Sequence, residues 1–361
     1  MNKILLTGGG TAGHVTPNLA LVPYLEKAGF SVEYMGSYDG IERKLVEAAK
    51  IPYTGISSGK LRRYIDVKNL TDPVRIIKGL HEARHYMRVN KPDIVFSKGG
   101  FVAVPVVIAA AERHIPVVIH ESDLSPGLAN KISIPRASRI CYSFPETEKY
   151  LTRYKAIHTG LPVRDDLLNG DAEKGRAVCS FRDDKPVVLV IGGSLGSVVV
   201  NEAVRASLPE LLKEYNVIHI CGSGKTDEAL KGTPGYVQFE YVSEELPHMF
   251  AAADIVISRA GANVINELAA IRKPAVLIPL GTNASRGDQL LNAESFERRG
   301  FSAVLREEAL TPASLTKTID EVFADRQKYA DAMTAAGHSN ACEAITDIII
   351  STLQESRDIH R

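Results

Sequence analysis

The chain has 361 residues, of which 45% are hydrophobic and 24% charged, and 43 Lys and Arg balance 43 Asp and Glu. This length exceeds the roughly 250–300 residues that one hydrophobic core usually serves, which predicts two domains. The zero formal net charge argues against a nucleic-acid-binding protein, because such proteins usually carry a basic excess.

The cysteines, the N-terminal sequence and the lengths of the apolar runs indicate the cellular compartment. The four cysteines are far apart and form no CxxC pair, so neither a disulfide framework nor a zinc site is expected. No signal-peptide pattern precedes the first strand-like run, and no window approaches 18 uncharged apolar residues. These features predict a cytoplasmic protein without a membrane span.

Short apolar runs alternate with amphipathic helical patterns from the N-terminus onward. The predicted strands are KILLTG, SVEYMG, DIVFS, PVVIHE and RICYS, and the predicted helices lie near 14–28, 40–50, 71–89, 101–113 and 126–133. Such alternation predicts βαβ units, that is, a parallel sheet with helices on both faces.

The second half repeats the organisation of the first. PVVLVIGGSLG repeats the opening strand–glycine–helix pattern, and PDIVFSKGG (92–100) is echoed by ADIVISRAG (253–261). The alternative explanation of these repeated motifs is coincidence, because all βα turns use similar residues. We predict two Rossmann-like domains, 1–163 and 164–342. A long helical pattern at 311–336 is followed by a last helix, assigned to 343–361, that returns to the first domain.

The stretch ILLTGGGTAGHVTPNLAL carries the G-x-G-x-x-G spacing of a dinucleotide-binding turn, in Gly8, Gly10 and Gly13. That fold also needs an acidic residue at the end of the second strand to bind the ribose. Here the second strand ends YMGSYDG, and Glu33 lies inside it, so the fingerprint is incomplete. GSGKT (222–226) fails as a P-loop because His219 occupies the position of the first glycine.

No Asp-x-Asp and no metal-ligand spacing occurs in the sequence, so we expect neither a metal nor another cofactor. A phosphate ligand would then be bound by Arg164 and by the N-terminus of the helix after GGSLG.

Polar side chains follow several predicted strands. In SRAGANVINELAA (258–270), Glu267 lies about one and a half turns into a helix, where a carboxylate can accept both hydrogen bonds of a ribose diol; the alternative is a solvated surface glutamate. Gln289 and Asn292 offer amides to sugar hydroxyls or an acetamido group. In the first half, HESDLSPGLANK places Glu121 and Asp123 after a strand and Asn130 in the next helix.

Together these motifs resemble one family, the GT-B glycosyltransferases of family GT28 that form lipid II in peptidoglycan synthesis. The resemblance runs along nearly the whole chain and rests on GGGTAGHVTP, SKGGFVAVP, HESDLSPGLANK, LPVR, GGSLG, SRAGANVINE and GDQLLNA, in the family's order. It implies two Rossmann-like domains facing across a cleft. It also implies inverting, metal-independent transfer of N-acetylglucosamine from UDP-GlcNAc to the C4 hydroxyl of MurNAc in lipid I, the undecaprenyl-diphosphate-linked acceptor.

The resemblance also implies roles for individual residues. Arg164 and Ser194 would bind the donor diphosphate, Glu267 the ribose and Gln289 the sugar hydroxyls. The backbone around Val242 and the 262–266 turn would contact uracil and neighbouring atoms. The remaining substrate-binding candidates are Ala262, Asn263, Val264, Ile265 and Asn266 in that turn, with Thr11, Ala12, Gly13, Asp123 and Asn130 on the acceptor side.

One position departs from the family pattern. Many members read His-Glu-Gln-Asn where this chain reads His-Glu-Ser-Asp, so Asp123 places a carboxylate where they have a neutral amide.

The reaction needs a base for the acceptor proton. His14 is the first candidate, because the reference pKa of histidine lies nearest neutral pH and the residue follows the glycine turn. Glu121 and Asp123 are the rival candidates. The alternative for His14 is that it caps the first helix and orients a phosphate.

The segment from Lys60 to Lys91 is basic and partly apolar. It has nine Lys or Arg against three acidic residues and includes VRIIKGL, a composition typical of contact with anionic lipid. We therefore expect a peripheral protein at the cytoplasmic face of the cell membrane; the alternative is that this segment is a solvated helix face.

Three other functions compete with the one that the resemblance implies. They are another lipid glycosyltransferase, a UDP-sugar 2-epimerase and a non-catalytic nucleotide-sugar-binding regulator.

Overall fold

The computed structural model describes residues 1–59, 72–193, 196–281, 287–337 and 340–359. The chain divides into two compact units, Met1–Val163 with Ser339–Arg361, and Arg164–His338. We call them the first and the second unit.

The first unit is built on a parallel sheet of seven strands in the order β3-β2-β1-β4-β5-β6-β7. Its strands are β1 (Asn2–Thr7), β2 (Phe30–Ser37), β3 (Tyr53–Ile56), β4 (Ile94–Ser97), β5 (Val117–Glu121), β6 (Arg139–Tyr142) and β7 (Ala156–His158). Its helices in this part of the chain are α1 (Thr16–Lys27), α2 (Ile41–Ala48), α3 (Asp72–Asn90), α4 (Ala103–Ala111) and α5 (Leu128–Ser133).

Alternating apolar residues place a core on each face of this sheet. In β1, Ile4 and Leu6 pack with α1 on one face, whereas Leu5 packs with the apolar α4 on the other. Strands β3 and β7 were not predicted. Both lie at the sheet edges and are only partly buried, so neither has the continuous apolar run by which the central strands are recognised.

The second unit repeats this plan with six parallel strands in the order β10-β9-β8-β11-β12-β13. Its strands are β8 (Val187–Ile191), β9 (Asn216–Ile220), β10 (Tyr236–Phe239), β11 (Ile255–Ser258), β12 (Ala275–Leu277) and β13 (Ser302–Val304). Its helices are α6 (Asp165–Leu168), α7 (Ala172–Val178), α8 (Val198–Glu214), α9 (Leu246–Ala252), α10 (Ala262–Ala270), α11 (Asp288–Arg298), α12 (Pro312–Ala324) and α13 (Arg326–Ala335). Two parallel-sheet α/β domains confirm the predicted fold class.

The helical pattern at 311–336 forms two helices rather than one. Asp325 ends α12 and precedes α13, with a backbone φ of −96° and ψ of 10°. Aspartate favours such a break because its short side chain competes with the helix for backbone hydrogen bonds.

The last helix, α14 (Ala341–Ile359), belongs to the first unit. Its apolar residues recur at helical spacing and join the core that contains Ile4 and Leu6; they are Cys342, Ile345, Ile349 and Leu353. Arg139 on β6 donates to Glu355 at 2.6 Å. The predicted return of the C-terminal helix is thereby confirmed.

A buried histidine makes the second unit sensitive to acid. His219 on β9 donates from Nε2 to Asn201 Oδ1 at 3.0 Å, since that oxygen can only accept, and its Nδ1 accepts from the Tyr236 hydroxyl at 2.9 Å. Burial lowers the pKa of His219 to about 3. The folded imidazole therefore stays neutral while the unfolded chain binds a proton below about pH 6.5.

Replacement of His219 with glutamine is expected to reduce the acid sensitivity of folding. Between the two pKa values, His219 lowers the free energy of unfolding by up to about 1.4 kcal/mol for each pH unit of acidification. Thermal unfolding followed by circular dichroism at pH 7.5 and 5.5 measures the difference. The exposed His114, replaced with asparagine, is the control and should retain the full acid-induced drop in Tm. An equal drop in H219Q and the parent would contradict the assignment.

Candidate functional site

In the first unit, the segments after three neighbouring strands meet at the carboxyl edge of the sheet. They follow β1, β4 and β5, which lie side by side. The turn after β1 packs directly against the turn after β4: a Cβ on Gly100 would collide with the carbonyl oxygen of Gly9, and Gly100 has a φ of 85°. Only glycine fits this close approach at positive φ. This edge is where ligands bind in open α/β sheets.

His14 lies at the end of the glycine turn, in a short 3-10 turn from Ala12 to His14. Its backbone N–H donates to the Thr11 carbonyl at 3.1 Å, and its Nδ1 lies 3.1 Å from Thr11 Oγ1. The N-cap residue of α1 is Val15, and its side chain makes no capping hydrogen bond. The structure thus brings Thr11, Gly13 and His14 together and places His14 one residue before the N-cap of α1.

Glu121, at the end of β5, organises the loop that follows it. Its buried carboxylate accepts from the backbone N–H groups of Asp123 (3.0 Å) and Gly127 (3.1 Å) and from Asn130 Nδ2 (2.8 Å). Burial and, second, the neighbouring Asp123 carboxylate raise the pKa of Glu121 to about 7, and these donors oppose the rise. Glu121 and Asn130 therefore hold the loop that presents the half-buried Asp123.

Lys98 is a site residue that the sequence analysis did not single out. Its ammonium group is buried, lies 2.7 Å from His120 Nδ1 and contacts Ser122 Oγ. His120 Nε2 lies 2.8 Å from the Gly160 carbonyl and donates to it, so Nδ1 accepts from Lys98. Burial lowers the pKa of Lys98 to about 7, against the opposing effect of Glu121 and Asp123. The sequence feature that could have identified Lys98 is its position directly after a buried strand, in SKGG.

In the second unit, Arg259 joins three segments at the corresponding sheet edge. Directly after β11, its buried guanidinium donates to Ser197 Oγ (2.7 Å), to the Ile278 carbonyl (3.0 Å) and to Glu307 Oε1 (2.6 Å). Ser197 in turn caps α8 by accepting from the Val200 N–H. Arg259, also missed by the sequence analysis, thus fixes the start of α8, the helix after GGSLG.

Glu267 lies on α10, which begins directly after Gly261. Burial raises the pKa of Glu267, and the positive charge of Arg164, just before α6, partly offsets the rise. Glu267 and Arg164 therefore interact electrostatically within the second unit. The predicted 262–266 residues form the first turns of α10, with Ala262 and Ile265 buried and Asn263, Val264 and Asn266 half-buried.

The two amides predicted on α11 also bind the backbone of the same edge. Gln289 Oε1 accepts from the Leu280 N–H at 3.0 Å, and the buried Asn292 donates to the Ala260 carbonyl at 3.3 Å. Val242 follows β10 and is buried.

Two predicted features need separate mention. Ser194 and positions 283–286 lie outside the described residues. Within the part of the chain that the structure describes, no group of three or more His, Cys, Asp or Glu side chains could hold a metal ion.

Comparisons with known proteins match both units. Residues 4–142 match the glycosyltransferase family 28 N-terminal domain, and residues 187–348 match the glycosyltransferase family 28 C-terminal domain. A Lachnospira eligens relative, named UDP-N-acetylglucosamine--N-acetylmuramyl-(pentapeptide) pyrophosphoryl-undecaprenol N-acetylglucosamine transferase, is 57% identical over 97% of this chain and 99% of its own length. A Clostridium perfringens relative of the same name is 56% identical over 96% of this chain and 97% of its own length.

A solved structure gives the same result. The crystal structure of Acinetobacter baumannii MurG has a TM-score of 0.76 and 26% sequence identity, over 97% of this chain and 100% of that one. The chain belongs to glycosyltransferase family 28 and, within it, to the group of N-acetylglucosamine transferases that these relatives represent.

Proposed function

We propose that this enzyme transfers N-acetylglucosamine from UDP-GlcNAc to the C4 hydroxyl of MurNAc in undecaprenyl-pyrophosphoryl-MurNAc-pentapeptide, forming lipid II and UDP. The observation that carries the proposal is the 57% identity, over 97% of the chain, to a relative named for this transfer. In our proposal the first unit binds the lipid-linked acceptor and the second unit binds UDP-GlcNAc.

The proposed donor site lies at the carboxyl edge of the second sheet. The carboxylate of Glu267 accepts hydrogen bonds from the ribose diol, and Gln289 contacts the sugar hydroxyls. Arg164, Ser194 and the N-terminus of α8, held by Arg259 through Ser197, stabilise charge on the diphosphate. The backbone around Val242 and the start of α10 contact the uracil.

The proposed chemistry is inversion at the anomeric carbon. The acceptor oxygen attacks from the face opposite the leaving UDP while a base removes its proton. His14 is the proposed base, because it lies at the exit of the glycine turn and is oriented by Thr11. The proposal gives Glu121 the task of shaping the acceptor loop, because three N–H groups already donate to its carboxylate.

The test of the proposed function is incubation with UDP-GlcNAc and a lipid I analogue. The expected products are a β-linked GlcNAc–MurNAc disaccharide and one UDP per disaccharide. Formation of UDP-ManNAc without an acceptor would instead indicate an epimerase, and transfer to diacylglycerol but not to the lipid I analogue would indicate another lipid glycosyltransferase.

The same proposal places the first unit against anionic lipid, at the cytoplasmic face of the cell membrane. At the start of α3, Val74 and Ile77 are 67% and 69% exposed, and Arg75 and Lys78 lie between and beside them. Exposed apolar residues flanked by cations suit an interfacial helix. The predicted cations at 60, 62, 63 and 68 lie outside the described residues. Among the described helices, none combines the length and apolarity needed to cross a bilayer.

Neutralising Arg75 and Lys78 together, as glutamines, is expected to weaken binding to phosphatidylglycerol-containing vesicles by about 10- to 30-fold, since each cation near such a surface contributes about 1 kcal/mol. Vesicle co-sedimentation measures this. The matched control replaces Lys213 and Lys317, two exposed cations of the second unit, and should bind like the parent. If both double variants bind the vesicles equally well, the start of α3 is instead a solvated helix face.

A further inference from the structure

Glu42 is a buried carboxylate that the proposed reaction does not use. It is the second residue of α2, and it has no exposed surface. Its Oε2 accepts from the Gly10 N–H at 3.1 Å, and its Oε1 accepts from the Ser37 N–H at 3.0 Å and from the Ser37 hydroxyl. The carboxylate therefore connects the glycine turn after β1 to the end of β2.

The backbone closes tightly around this carboxylate. A Cβ on Gly9 would lie 2.5 Å from Glu42 Cδ, and one on Gly36 would lie 2.7 Å from Glu42 Cγ. A carboxylate so enclosed is stabilised only by the donors that surround it, because an unsatisfied buried charge is strongly unfavourable. Its position and that of the turn are consequently interdependent.

The location of the carboxylate matches that of a ligand in a related fold. In a dinucleotide-binding domain, N–H groups at the glycine turn bind the diphosphate, and an acidic residue at the end of the second strand binds the ribose. Here Glu42 reaches both places from α2, and the Gly10 N–H already has an anionic acceptor. The first unit thus supplies an anion of its own where a nucleotide would bind.

We propose that Glu42 is the positioning residue of the glycine turn: its carboxylate takes the place of a nucleotide's anionic groups in the first unit and fixes the turn that orients Thr11 and His14. Gly10 is joined directly to Thr11, and Thr11 contacts His14 through both its carbonyl and its hydroxyl. The catalytic part of this inference rests on the proposed function, because it takes His14 as the base.

Glu42→Gln is the first test, because it keeps the shape but places an amide N–H₂ against the backbone N–H of either Gly10 or Ser37. A shift of the turn of about 1 Å should lower kcat about 100-fold. The acceptor KM should also rise, while the Kd for UDP-GlcNAc, measured by calorimetry, stays within about twofold because α10 and Glu267 are unaffected. A purely structural role would instead lower the folded fraction and leave kcat per folded molecule and both affinities unchanged.

The control is Glu47→Gln on the same helix, where the side chain is 51% exposed and pairs with Arg43; it should retain parental kinetics. Ser37→Ala is a second, milder variant that removes one donor to the carboxylate and covers the case in which E42Q does not fold. It should lower kcat in the same direction by a smaller factor.

Amide hydrogen exchange in the full chain tests the positioning without any reference to activity. Both Glu42→Gln and Ser37→Ala should speed exchange at residues 8–11 relative to E47Q. If the parent forms no disaccharide but exchange at the turn still increases, the proposed function fails and the positioning role of Glu42 stands. Parental exchange at the turn in S37A and in folded E42Q, together with parental kcat, would overturn the inference.

Discussion

Replacing His14 with alanine is expected to lower kcat by at least about 100-fold, the usual contribution of a positioned general base. The variant keeps the backbone that joins β1 to α1 and removes the imidazole, whose Nδ1 lies 3.1 Å from Thr11 Oγ1. Binding of UDP-GlcNAc, which we assign to the second unit, should stay within about twofold of the parent. Single-turnover kinetics with the lipid I analogue and calorimetry with UDP-GlcNAc measure the two effects.

The pH profile and two further variants sharpen this prediction. In H14A the acid limb of the kcat/KM profile should flatten, because the group that must lose its proton is gone. Thr11→Val, which removes only the orienting hydroxyl, should lower kcat by a smaller factor. The control is His114→Asn, an exposed histidine at a φ of 57° that asparagine tolerates. Near-parental turnover by H14A would remove His14 as the base and leave Asp123 and Glu121 as the candidates.

Replacing Glu267 with alanine is expected to weaken UDP binding by about 10- to 100-fold, because hydrogen bonds to a charged partner contribute about 1.5–3 kcal/mol. A ribose diol and a carboxylate form a paired contact, so the loss should depend on the 2′-hydroxyl. The parent should bind 2′-deoxy-UDP markedly more weakly than UDP, whereas E267A should bind the two nearly equally. Calorimetric Kd values for both ligands and both proteins form a double-mutant cycle.

The positive charge of Arg164 provides a second test of this site, through the pH dependence of UDP binding. Burial raises the pKa of Glu267 and Arg164 opposes the rise, so UDP binding by the parent should weaken on acidification as the carboxylate becomes protonated. Without Arg164 the pKa rises further, and in R164A this weakening should begin at a higher pH. Glu294→Ala, a matched change at a side chain that pairs with Arg306 at 2.8 Å, should leave binding unchanged. Equal discrimination against 2′-deoxy-UDP by parent and E267A would contradict the ribose role.

The central strands and the positions of the turns were predictable from sequence for a simple reason. Buried parallel strands such as DIVFS and PVVIHE are continuous apolar runs, and their carboxyl ends lie at one edge of a sheet. The repeated organisation of the two halves is confirmed by the matching strand orders. The edge strands β3 and β7 escaped notice because partly buried edges lack that pattern.

The partners of the site residues could not be read from sequence. Lys98 and Arg259 each follow a strand, but their functions depend on which residues of other segments reach them, namely His120 and Ser122 for Lys98 and Ser197 for Arg259. Glu42 illustrates the same limit of sequence analysis. We looked in the sequence for an acidic residue at the end of the second strand, whereas in the structure Glu42 reaches that place from the following helix. The two amides on α11 were predicted as ligand-binding groups, and contacts of 3.0 Å and 3.3 Å show that both also bind the backbone.

The position of α14 has a consequence for how the protein is made. The first unit is interrupted in sequence by the whole second unit, and its core is completed by Ile345, Ile349 and Leu353 near the C-terminus. During synthesis the second unit can finish its own core while the parts of α1, β4 and β6 that α14 covers still lack their packing partner. The N-terminal half of this enzyme therefore reaches its final packing last, reversing the usual N-to-C order of co-translational domain folding.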